Sequence, residues 1–87
     1  MAITSGSQVV GTTAVAIDGV AASPCVIYIR NNDTTKTLYI GNSDITTANG
    51  LPIDKLSTQN FALPAGAQLY MVSSDIGHNI SWLRIVQ

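Results

Sequence analysis

The residues with the most reactive side chains are few and stand apart along the chain. The 87-residue sequence has one histidine, His78, one cysteine, Cys25, and no glutamate. A general base needs a nearby acid or nucleophile, and a thiol nucleophile needs a nearby base. His78 lies in a Gly-His-Asn turn and is expected to be solvated, whereas Cys25 opens the most apolar segment and is expected to pack as a small hydrophobic residue. The sequence therefore predicts no catalytic residues and no enzyme.

A metal site is the next possibility, because oxygen-bearing side chains alternate at Asn42, Asp44 and Thr46 as they do at the start of a calcium loop. The alternation then reaches Ala48, and no glutamate follows to close the site. We therefore predict no metal ligands, no cofactor-binding residues and no cofactor.

The aromatic residues could form a platform on which sugars stack. More often, aromatic residues on strands pack in the core or on a sheet face, and we favour that interpretation for the set Tyr28, Tyr39, Tyr70 and Trp82. The platform stays open as an alternative, in which the chain is a carbohydrate-binding module.

The charge content is low. Only 10% of the residues are charged, against roughly 25% in an average soluble domain. Four bases scattered among five acids cannot form the basic stripe that nucleic acid requires, and the apolar runs are too short to span a bilayer. The first residues do not resemble a signal peptide, so we expect a protein made in a cytoplasm and used without export.

The small size and the uncharged surface together favour assembly. A chain of 87 residues has a small core, and small domains often gain stability from disulfides, metals or oligomerisation. One cysteine cannot form an intramolecular disulfide, and no metal site is predicted. Surface rich in Thr, Ser, Asn and Gln can be buried against a partner at a lower desolvation cost than charged surface. We therefore expect a homo-oligomer.

Short β-branched segments separated by turn residues predict an all-β fold, a small antiparallel sandwich or barrel of about six to eight strands without a substantial helix. Residues 9–87 form the predicted domain, and residues 1–8 form an N-terminal arm that becomes ordered against another subunit. Residues 9–17 are predicted as one bent strand, and the segments on either side of residues 31–35 as a hairpin. Predicted core residues are Ile27, Ile29, Leu38, Ile40 and Phe61.

Residues 42–50 are a long polar loop that follows one of these strands. Loops of this kind on short apolar strands are typical of sandwich proteins that act by presenting a surface.

Several segments carry a resemblance to a protein family: Ile27-Tyr28-Ile29-Arg30-Asn31, Leu38-Tyr39-Ile40-Gly41, the loop from Ser43 to Ile53, and the strands Leu69–Ser73 and Ile80–Val86. The region from Cys25 to Val86 resembles small β-sandwich structural proteins of phage virions. It departs from them at Asp54-Lys55-Leu56, where the family has an acidic or glycine-rich linker with glutamate.

The resemblance implies a virion protein that decorates and cements a phage capsid. Its partners would be other copies of itself and the major capsid protein or another virion protein, with no nucleic acid, membrane or small-molecule substrate. It would be made in the host cytoplasm and located in the virion. Two alternatives stay open: a tail-fibre or receptor- or carbohydrate-binding module, and a tail or head-completion component. No site residue is transferred, because the shared motifs are structural.

Overall fold

The computed structural model describes residues 3–17 and 21–86. Within them the chain forms eight strands: β1 (Ile3–Val10), β2 (Val15–Ala16), β3 (Cys25–Asn31), β4 (Leu38–Gly41), β5 (Leu51–Ile53), β6 (Thr58–Leu63), β7 (Tyr70–Ser73) and β8 (His78–Val86). No helix in these ranges is long and apolar enough to cross a lipid bilayer.

The strands form two four-stranded sheets, both antiparallel. Sheet I has the order β1-β8-β3-β6, and sheet II has the order β2-β7-β4-β5. Two four-stranded sheets that exchange successive strands in this order make a jelly roll. The prediction of a small all-β antiparallel sandwich is confirmed.

Alternation along β3 explains how sheet I builds the core. Cys25, Ile27 and Ile29 are buried, whereas the intervening Val26 and Tyr28 point outward. The predicted core is confirmed: Ile27, Ile29, Leu38 and Ile40 are buried, and Phe61 is half-buried against them.

The predicted hairpin around residues 31–35 is wrong. β3 lies in sheet I and β4 lies in sheet II, so residues 32–37 cross from one sheet to the other. The connection between β7 in sheet II and β8 in sheet I also crosses from one sheet to the other. Connections of this length serve both purposes, which is why turn residues alone do not separate them.

The N-terminal boundary also differs from the prediction. β1 runs through residue 8, and Ile3 to Val10 pair in continuous register with Ile85 to His78 of the same chain. A Cβ added at Gly6 would lie 2.9 Å from the Trp82 indole, so glycine leaves room for that ring. Residues 3–8 are thus an edge strand of sheet I and not a separate arm; residues 1 and 2 lie outside the described ranges. The single bent strand predicted over residues 9–17 is instead divided between β1 and β2.

Candidate functional site

Three buried polar side chains meet between the sheets. Asn31 and His78 are 0% exposed and Ser73 is 1% exposed. The Ser73 hydroxyl lies 2.7 Å from His78 Nδ1, and His78 Nε2 lies 2.6 Å from Asn31 Oδ1. Because β3 and β8 belong to sheet I and β7 to sheet II, this polar cluster ties the two sheets together at one end of the sandwich.

The hydrogen bonds fix the orientation of each group in the cluster. Asn31 Nδ2 donates to the carbonyl oxygens of Lys36 at 2.9 Å and Ile53 at 3.0 Å, so its Oδ1 faces the histidine. Since an amide oxygen can only accept, His78 Nε2 carries the proton and Nδ1 accepts from the Ser73 hydroxyl. Ser73 Oγ accepts in turn from the backbone N–H of Asp75 at 3.3 Å.

Burial favours the neutral form of the histidine. It lowers the pKa of His78, an effect that the Asp33 carboxylate opposes and the Lys36 ammonium reinforces. Thr35 and Lys36 donate backbone N–H groups to Asp33, which lower the pKa of that carboxyl to about 2. The Asp33 carboxylate therefore lies near a ring whose neutral form is favoured by burial.

The residue types of this cluster match those of some hydrolase sites, but their placement does not. A nucleophile must reach a substrate, and the Ser73 side chain is buried with its hydroxyl engaged by His78. The cluster is suited to joining the sheets. The expectation of a solvated His78 was wrong. The alternation of side chains along the strands could have predicted the buried cluster, because Asn31 points inward like Ile27 and Ile29, and His78 points inward like Ile80.

Residues 42–50, the covering loop, are held by their own polar side chains. Asn42 Oδ1 accepts the backbone N–H of Asp44 at 3.0 Å, Thr46 Oγ1 accepts that of Ala48 at 3.2 Å, and Asn49 Oδ1 accepts that of Thr46 at 2.8 Å. The alternation that suggested calcium thus serves turn formation. Within residues 3–17 and 21–86, no three His, Cys, Asp or Glu residues cluster so that they could hold a metal.

The covering loop lies on the outward face of sheet II. Ile45 is 8% exposed, and its side chain packs directly on Gly41, where an added Cβ would clash with it. Val72, which pairs with Tyr39 on this outward face, is only 3% exposed although it lies outside the core cluster. The chain therefore covers the outward face of sheet II with its own loop.

The outward face of sheet I keeps its apolar side chains accessible. Strand register places Ile3, Ile85, Val26 and Ala62 side by side in one row, and Leu83 beside Tyr28 in the next. Ile3 is 62% exposed and Tyr28 is 36% exposed. We call these six residues the open face.

A cleft extends the open face beyond the ends of β3 and β6. Its volume is about 470 Å³, and its lining is Pro24, Cys25, Val26, Ala62, Leu63 and Pro64. We call it the proline cleft. Cys25 is 2% exposed and belongs to the core cluster, which confirms its predicted packing role.

The aromatic residues do not converge on one surface. Trp82 packs against the core, as expected, but the tyrosines point outward: Tyr28 from sheet I, and Tyr39 and Tyr70 from sheet II. A single stacking platform built from all four is not formed.

Comparison with known proteins gives a fold relationship. No family model matches the chain, and no curated protein matches its sequence. The fold is similar to that of a chain in a solved structure of Bacillus endospore appendages, described as a novel family of disulfide-linked pili. The TM-score is 0.64 at 13% identity, and the match covers 98% of this chain and 85% of that chain. At this identity the similarity shows the fold alone.

Proposed function

We propose that this chain is a non-enzymatic structural protein that works within a larger protein assembly, and that the assembly is a phage capsid which it decorates and cements. The observation that carries the proposal is the open face. Contiguous apolar surface on a small domain marks an interaction site, and this surface lies on a domain in which only 10% of residues are charged. Both features favour burial against other proteins.

The choice of a capsid rests on the resemblance between residues 25–86 and small phage virion proteins. In this proposal the chain is made in the host cytoplasm and becomes part of the virion. Its partners are other copies of itself and the major capsid protein, and it uses no cofactor and turns over no substrate. The buried polar cluster serves stability, because its serine is enclosed.

A second candidate is a subunit of a filamentous appendage, which the fold similarity to a pilus protein favours. Disulfide linkage would operate differently here. A chain with one cysteine can join only two copies covalently, and Cys25 is 2% exposed. A filament of this protein would therefore be held by non-covalent contacts.

The test is the protein's location and its effect on particles. Virions purified from producing cells should contain the protein in many copies across the shell by cryo-electron microscopy. Particles made without its gene should release DNA at lower temperature or after milder osmotic shock. Supplying the wild-type protein in trans should restore resistance.

Two results would contradict the capsid proposal. The protein could be absent from purified virions and present in filaments, which would favour the appendage. It could instead occupy only the tail or a single vertex, which would favour the tail or head-completion alternative. Complementation with Val9→Asp, which changes an exposed residue outside the open face, should restore resistance as the wild-type protein does.

A further inference from the structure

We propose that two copies of this chain pack through their open faces, antiparallel, about a two-fold axis that crosses the strands at Val26. Tyr28 of each copy then enters the proline cleft of the other. The inference deepens the proposed function by naming the surface and the partner through which copies associate.

The spacing along β3 carries the geometry. Pro24 and Tyr28 lie two residues before and after Val26 and share its outward parity. An axis through the row of Val26, perpendicular to the strands, therefore brings Tyr28 of one copy over Pro24 of the other. Pro64 directly follows the end of β6, two residues beyond Ala62, and forms the other wall of the proline cleft.

The residues that meet on the axis are all apolar. Rotation about this axis keeps each strand opposite its own counterpart, so Ile3, Ile85, Val26 and Ala62 each face the same residue of the second copy. A two-fold interface must be complementary to itself, and a wholly apolar row meets that requirement without any charged or hydrogen-bonding group to match.

Charge selects this axis over the other two-fold arrangement. Arg30 is the charged residue of the outward face of β3, four residues from Val26. An axis parallel to the strands would bring the two Arg30 side chains close together, because β3 lies beside the middle of the sheet. The axis across the strands places each arginine about 13 Å from it, on opposite ends of the dimer, so the like charges are well separated.

The area of the contact sets its strength. The Val26 row on four strands, together with the rows on either side of it on β3 and β6 and their extensions, covers about 250 Å² per copy. A standard stable interface buries roughly 800 Å² per partner. The face therefore supports a reversible dimer that is reinforced where many contacts act together on a lattice.

The first experiment measures association of the purified protein by sedimentation velocity over a wide concentration range. The wild-type chain should shift from monomer towards dimer, and a Val26→Asp variant should raise the dimer dissociation constant about tenfold or more, because the carboxylate loses its hydration in the contact. Val9→Asp changes an outward apolar residue of the same sheet away from the axis and should leave the dissociation constant within about twofold of wild type. Circular dichroism establishes that each variant is folded.

The second experiment tests the axis directly and does not depend on the stability of Val26→Asp. Ala62→Cys places a thiol on the axis and should form an intermolecular disulfide under mild oxidation. Thr58→Cys lies on the same strand and face, four residues away, and should remain uncrosslinked. Wild-type protein controls for Cys25.

Several results would overturn the inference: a wild-type chain that stays monomeric at every concentration, a Val26→Asp variant that dimerises like wild type, or equal crosslinking of the two cysteine variants. None of these depends on virions. If the protein does not dimerise but still decorates capsids, the inference is rejected and the proposed function stands. If the protein dimerises but is absent from capsids, the proposed function is rejected and the inference stands.

Discussion

Both sheets carry apolar side chains on their outward faces, but among residues 3–17 and 21–86 only sheet II has that face covered by another segment of the chain. Under the covering loop, Val72 is 3% exposed; on the open face, Tyr28 is 36% and Ile3 is 62% exposed. The loop of nine residues removes Ile45 and Val72 from water, whereas Tyr28 and Ile3 on the other face remain in contact with it. A chain that covers one such face leaves the other available to another molecule.

The edge strands of sheet I, like its outward face, are less protected than those of sheet II. Sheet II ends in a two-residue strand on one side and, on the other, in β5, which contains Pro52. Short strands and proline are common means of preventing further strand pairing. Sheet I ends in β1 and β6, which are longer and contain neither proline nor a charged residue. Both the face and the edges of sheet I are therefore less protected than those of sheet II, which supports the proposal that the molecule associates through sheet I.

The largest expected effect comes from removing part of sheet I. Deleting residues 1–8 takes away most of the strand that pairs with β8, including Gly6, which packs on Trp82. Small domains have a total stability of about 5–15 kcal/mol, and we expect the free energy of unfolding to fall by about 3 kcal/mol or more. Urea unfolding checks this; a truncated protein as stable as the full chain would restore the interpretation of these residues as a separate arm.

The next test places the same charge on each face. Ile45→Asp buries a carboxylate under the covering loop and should cost about 3 kcal/mol of unfolding free energy. Val26→Asp places it on the open face and should cost the monomer less than about 1 kcal/mol. Unfolding measured at low protein concentration compares them, and equal losses would mean that the two faces do not differ as described.

A smaller effect tests the fit of the covering loop. A methyl group at Gly41 would clash with the Ile45 side chain, whereas a Cβ at Gly11 has no atom within 4 Å among the described neighbours. Gly41→Ala should therefore destabilise the protein by about 1–2 kcal/mol, and Gly11→Ala should be close to neutral. Thermal unfolding of this matched pair gives the difference; similar midpoints would show that the loop does not rest on sheet II.

A pH-dependent effect tests the polar cluster that joins the sheets. Because burial lowers the pKa of His78 below its ordinary value of 6.5, the unfolded chain takes up the proton at higher pH than the folded one. The stability due to the neutral ring is fully present above pH 6.5 and is lost as the pH falls below it. Asp33 and Asp75 have lowered pKa values, so their contributions are lost only below about pH 4.

We therefore expect the unfolding temperature to begin falling near pH 6.5, before the carboxylates titrate. The variant His78→Gln retains a donor and an acceptor and should be less stable at neutral pH but lack this first decline. An identical decline in the variant would show that another group causes it.

Side-chain alternation was sufficient to predict the core but not the division of strands between sheets. In β3 the inward residues Ile27 and Ile29 were identified correctly. The crossing between β3 and β4 was not, because its Asn, Asp and Thr residues suit a hairpin equally well and the choice is made by packing across the sandwich.

The sequence also contains a pattern that indicates the open face. β3 is apolar at successive positions, not only at alternate ones, as the run Val26-Ile27-Tyr28-Ile29 shows. In parallel sheets such runs belong to strands that are buried on both faces; in this antiparallel sheet the run supports the proposal that a second copy covers the outward face. What the sequence could not give is the register that aligns Val26 with Ile85 and Ile3, because strand pairing is set by contacts distant along the chain.

The most direct measurement compares two tyrosines that stand on the two outward faces. Hydroxyl-radical labelling of the purified protein, read by mass spectrometry, reports the accessibility of Tyr28 on the open face and Tyr39 on sheet II at each protein concentration. As concentration rises, Tyr28 should become protected in parallel with dimer formation, while labelling of Tyr39 stays constant. Equal labelling of Tyr28 at all concentrations, or protection of Tyr39 instead, would contradict the assignment of sheet I as the face through which this protein associates.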